Sequence, residues 1–125
     1  MTPRRILFLL LQVLVTIQLI VGIAMWTGHW YSFLGTHMAV GVLFVLILWT
    51  IAVLALVKRQ RVGLALLAIV WGLAVAALGM TQQRLLPGDL HWIIRVLHLA
   101  VGVASMPIAA MLTVKLDHQA SRPAA

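Results

Sequence analysis

Two histidine-centred phrases recur along the chain. His29-Trp30 is followed by His37-Met-Ala-Val-Gly-Val, and His91-Trp92 by His98-Leu-Ala-Val-Gly-Val, each entering a long apolar run. An ionisable side chain inside a membrane segment is expensive to place, so it marks a candidate site by default. A matched pair on two helices says more, because two facing imidazoles are an axial ligand set for a haem iron, and imidazole also binds zinc or copper. The chain has no cysteine and no glutamate, and its only acids are Asp89 and Asp117. Disulfides, thioether-attached haem, cysteine-ligated iron–sulfur clusters and cysteine nucleophiles are thereby excluded. Histidine remains the principal metal ligand, beside methionine.

The elements that must carry these histidines follow from composition. Hydrophobic residues are 64% and charged residues 9% of 125 positions, far from the make-up of an ordinary soluble domain. The expectation is an all-α integral membrane protein, a single four-helix bundle. At about 20 residues per crossing, the apolar runs place spans at about 6–26, 33–57, 62–80 and 92–114. The first run is too long for a signal-peptide core, and no small-residue cleavage site closes it. Arg4, Arg5, Lys58, Arg59, Arg61, Lys115 and Arg122 flank one side of the spans, and only Arg84 and Arg95 flank the other. The positive-inside rule then makes both termini cytoplasmic and turns the connections bearing His29 and His91 outward. Trp26, Trp30, Tyr31 and Trp92 gather at that outer boundary, as an interfacial aromatic belt does. The net charge of +7 is mostly the inner basic rim, so a lipid bilayer and not nucleic acid is the expected partner.

The two halves read as parallel helical-hairpin repeats, 1–57 and 62–115, related by an axis along the membrane normal. His37 lies 21 residues from Lys58, and His98 lies 17 from Lys115. At 1.5 Å per residue these are about 31 and about 26 Å, a mismatch of one helical turn that tilt absorbs. Both histidines therefore fall in the outer half of the bilayer. Gly41 and Gly102 follow them by four residues on the same helical faces, with Ser105 and Ala109 farther along. Small residues there serve either close helix packing or room for a flat macrocycle. Arg95, one turn before His98, and Arg84, in the outer connection, are candidates to pair with haem propionates, the alternative being that they snorkel to headgroups. His37 and His98 could instead be neutral imidazoles bonded to a neighbouring helix. His29 and His91 read first as interfacial anchors and second as further ligands, while His118 lies in a solvated tail. Gln12, Thr16, Gln18, Gln82 and Gln83 are candidate quinone contacts or interhelical glue.

With His37 and His98 near the outer ends of alternate helices, the chain resembles bacterial membrane-bound b-type cytochromes, and its His-Trp…His-Leu-Ala pattern is similar to one four-helix half of haem A synthase. The likeness to the synthase lies in the haem-binding scaffold, since the extracellular glutamates of its active half have no counterpart here. The resemblance implies a multi-pass protein of the bacterial inner membrane that holds one haem b through His37 and His98, with Gly41, Gly102, Arg95 and Arg84 around it. The implied activity is electron transfer, possible partners being a quinone, a membrane or periplasmic redox protein, and a second copy of the chain. The alternatives are a haem-handling enzyme or chaperone, a copper or zinc site made by all four of His29, His37, His91 and His98, and a cofactor-free structural subunit of a membrane complex.

Overall fold

A computed structural model describes residues 3–120, and the side chains of residues 3–113. The chain forms four helices: α1 (Pro3–Trp26), α2 (Leu34–Val57), α3 (Val62–Thr81) and α4 (His91–Ala120). No strand occurs among the described residues. Each helix is long and apolar enough to cross a membrane. A segment of Leu, Val, Ile and Ala in lipid must satisfy its own backbone polar groups, and the helix does so within one span. Short connections make successive helices antiparallel neighbours. α4 closes the ring against α1, and α2 also touches α4 across the centre.

Helix boundaries differ from expectation mainly at the polar ends. α1 starts at Pro3, a residue suited to a helix's first turn, where its missing N–H costs nothing. α4 starts at His91 and runs on to Ala120, six residues past the expected end. The Lys-Leu-Asp-His-Gln-Ala stretch after Val114 is polar, but it contains nothing that breaks a helix. The side chains of Lys115, Asp117 and His118, and all of Arg122, lie outside the described residues. Pro107 sits within α4 and removes one backbone donor without ending the helix. Each long connection contains a 3₁₀ turn, Tyr31–Phe33 in the first and Gln82–Arg84 in the second. Each also turns on a left-handed glycine, Gly28 (φ 87°) and Gly88 (φ 90°).

Packing divides the bundle into two unlike halves. Toward the chain ends and the α2–α3 turn the interior is solid, with Leu11, Leu48, Ile51, Ala52, Ala55, Ala65, Ala68, Ala109 and Leu112 all at 0% exposure. Alanines at Ala52, Ala55, Ala65 and Ala68 let the α2 and α3 backbones approach closely, which is how helices associate in lipid. The Trp49 indole lies over Gly72 and donates from Nε1 to the Ile69 carbonyl at 3.1 Å. Trp71 likewise donates to the Val101 carbonyl on α4 at 2.9 Å. Arginines lace this end: Arg4 donates to Gln60 Oε1 at 3.4 Å, and Arg61 to the Met111 carbonyl at 3.2 Å. Toward the other end the solid core stops near Phe44, Val45 and Val75, and a cavity replaces it. Trp26, Trp30, Tyr31 and Trp92 are exposed around that end, where an interfacial belt is expected.

Candidate functional site

A cavity of about 420 Å³ occupies the half of the bundle between the solid core and the two long connections, and all four helices line it. That volume suits a drug-sized ligand or a cofactor, whose sites span about 300–1,000 Å³. His37 enters from α2 and His98 from α4. Nδ1 of each ring is buried and has no hydrogen-bond partner. Neither Nδ1 is bonded to a neighbouring helix.

The structure gives each histidine a companion that the repeated phrase does not contain. Gly22 of α1 faces His37 so closely that a Cβ at that position would lie 3.4 Å from the ring carbon Cε1. Gly79 of α3 faces His98 in the same way, at 3.3 Å. One helical turn deeper the two hairpins diverge. Gln18 of α1 lies against Gly41, its amide nitrogen 2.7 Å from where a Cβ would stand, and its Oε1 is buried without a partner. The corresponding place on α3 holds Val75, and Gly102 opposite has nothing within 4 Å of its missing side chain. Of the two glycine notches, the one at Gly41 is taken by an amide and the one at Gly102 stands open to a ligand.

These companions escaped sequence reading because no constant spacing marks them. Gly22 precedes His37 by fifteen residues and Gly79 precedes His98 by nineteen, because the second connection is longer and His98 lies farther into its helix than His37 does. Counting depth down antiparallel helices, rather than distance along the chain, is the signal that finds them.

The other candidates separate cleanly. Arg95 lines the cavity one turn from His98, whereas Arg84, in its 3₁₀ turn, does not. Ser105 and Ala109 are fully buried below the cavity, and the Ser105 hydroxyl donates to the Val101 carbonyl at 3.3 Å. His91 lines the cavity, with Nδ1 donating to the Leu85 carbonyl at 3.2 Å. His29 does not line it. Its Nδ1 lies 3.2 Å from the Thr27 hydroxyl, which spends its own proton on the Ala24 carbonyl. His29 is thus an anchored loop residue. No three His, Asp or Glu side chains among the described residues come together as a metal site, which leaves the four-histidine copper or zinc arrangement without geometry. Gln18, Gln82 and Gln83 line the cavity, while Gln12 and Thr16 lie in a shallow groove on the outward face of α1.

The residues present fit a haem. Two imidazoles from different helices open on one largely apolar space, a cationic Arg95 stands beside it, and Gly102 leaves a helix face bare. Comparison with known proteins gives no match, whether to a family model, a curated protein or a solved structure.

Proposed function

We propose that this chain is a small membrane b-type cytochrome that binds one haem b between α2 and α4, with His37 and His98 as its two axial ligands. One observation carries the reading: two imidazoles, one from α2 and one from α4, line the same largely apolar cavity. Axial ligands from facing helices are an established way to seat a cofactor in a bundle. Arg95 pairs with a propionate at the connection end, where the guanidinium also reaches water. Gly102 would leave room for the macrocycle beside α4, and the largely apolar lining would favour such an occupant.

When bound, the haem supplies one-electron chemistry. A site with both axial positions taken by protein has none left for oxygen, so electron transfer is the activity that follows. The donor is a lipid-soluble reductant of the quinol class, and the acceptor lies at the face bearing the connections. That face is the outer one if the basic rim is cytoplasmic, as expected for a bacterial inner-membrane protein.

An optical spectrum of the purified protein tests this. Sharp reduced α and Soret bands of six-coordinate haem b are expected, lost in both His37→Ala and His98→Ala. A wild-type protein that stays colourless after expression with ample haem, and that takes up no added haem, would falsify it. Met38, Val42, Leu99 and Val103 line the cavity and are also exposed on the helix surfaces, which favours a second reading, a protein that receives or passes on haem sideways through the bilayer. Haem that leaves within minutes for an apo-acceptor supports that reading, and haem retained for hours supports a resident cytochrome.

A further inference from the structure

Resting on the haem reading, the geometry points to Gly22 and Gly79 as positioning residues that set the rotation of the His37 and His98 rings. A ligating histidine is ordinarily held by a hydrogen bond from its second nitrogen to a carbonyl or carboxylate. Neither ring has such a bond, since Nδ1 of each is buried and unpartnered. The terminal torsion of histidine is broad and does not choose a ring angle by itself. Something else must select it. Each ring has instead a glycine on the partner helix of the same hairpin, placed so that a Cβ there would meet the ring edge at Cε1.

Close helix packing alone does not account for this. Glycines elsewhere in the spans have other surroundings: Gly63 and Gly102 face open space, Gly72 takes an indole and Gly41 an amide. The pairing with an imidazole is confined to Gly22 and Gly79. It persists although the two connections differ in length, so it belongs to the site rather than to the loops. A methyl group at Gly79 stands 3.3 Å from Cε1 of His98, so that the ring must give by a few tenths of an ångström, and one at Gly22 stands 3.4 Å from Cε1 of His37, in van der Waals contact that narrows the ring's range of rotation. The relative rotation of two axial imidazole planes governs the ligand-field anisotropy of a low-spin ferric haem, and the electron paramagnetic resonance g values report it.

The test is Gly22→Ala, Gly79→Ala and the double variant, with Gly63→Ala as control, each purified with its haem. Both single variants are expected to keep a six-coordinate optical spectrum and to shift the largest g value, and Gly79→Ala, whose methyl is the tighter fit, to weaken haem retention by up to about tenfold, the equivalent of one mild overpacking. The control is expected to match wild type. Unchanged g values in fully loaded Gly22→Ala and Gly79→Ala overturn the assignment while leaving the haem reading intact, whereas a wild type without haem fails that reading itself. If the alanine variants do not fold, nuclear Overhauser contacts in the labelled haem-free wild type decide. Contacts from Gly22 Hα to His37 Hε1 and from Gly79 Hα to His98 Hε1 are expected, and their absence overturns the assignment.

Discussion

At the scale of single residues, the four histidines with described side chains separate by what their Nδ1 atoms do. His29 and His91 spend theirs on a hydroxyl and a carbonyl nearby, whereas His37 and His98 leave theirs buried and unpaired. A buried polar group without a partner costs about 1–3 kcal/mol. This cavity carries it at both rings and at the Gln18 amide oxygen, which is the pattern that the proposed reading uses. On the proposed reading His29→Ala leaves the haem spectrum unchanged, a result that a spectrum and a pyridine haemochrome titration check together. Arg95 and Arg84 separate in the same way. Arg95→Leu is expected to weaken haem retention about tenfold, the worth of one charge-assisted pair, and Arg84→Leu to leave it within twofold, measured as haem transfer to an apo-acceptor. The two histidines and Arg95 were legible in the sequence because imidazole and guanidinium are rare in lipid and stand out there. Gly22 and Gly79 were not, because a glycine among apolar residues gains meaning only from what faces it.

Among elements, α2 and α3 form the tightest seam, built on alanines and on the Trp49 indole over Gly72. A Cβ at Gly72 would collide with the indole nitrogen that donates to Ile69. Gly72→Ala is therefore expected to destabilise the bundle by about 2 kcal/mol, from overpacking together with a strained hydrogen bond. Gly63→Ala, in a helix position with open space around it, is expected to be neutral or to stabilise by up to about 1 kcal/mol. Reversible unfolding in mixed detergent micelles checks the pair. Four long apolar helices were legible, since hydropathy alone specifies where lipid demands a helix. The far end of α4 was not, because after Val114 the sequence turns polar and hydropathy ceases to report on backbone conformation. The α1 helix is the least covered: 6% of its most apolar stretch is buried, against 22% to 33% in the others.

Taken whole, the bundle is solid at one end and hollow at the other. The chain contains no cysteine, so single cysteines can map this directly. In haem-free protein, Gly102→Cys is expected to react readily with a small water-soluble thiol reagent, and Ser105→Cys, fully buried less than one turn away, at least about tenfold more slowly, as reagent access tracks burial. Added haem is expected to protect Gly102→Cys, and mass spectrometry of the labelled protein reads both results. Cysteines at Gly28 and Gly88 are expected to be labelled from the same side of sealed vesicles, and from the side opposite one at Arg59. The division into halves was not legible, because both halves are equally apolar, and the difference lies in how large and small side chains meet across the bundle.

That division also makes the protein an asymmetric dielectric. The solid half is dry protein of low permittivity, and the hollow half opens toward the face that carries the connections. On the proposed reading, a membrane voltage would fall across the solid half before it reached the site from the side of the basic rim. Moving one charge through the whole field is worth about 2.3 kcal/mol per 100 mV, but a charge placed at His37 and His98 from the open face crosses only a small part of it. An electron received there does little electrical work, so the proposed site would follow the potential of a single compartment and run almost independently of how strongly the membrane is energised.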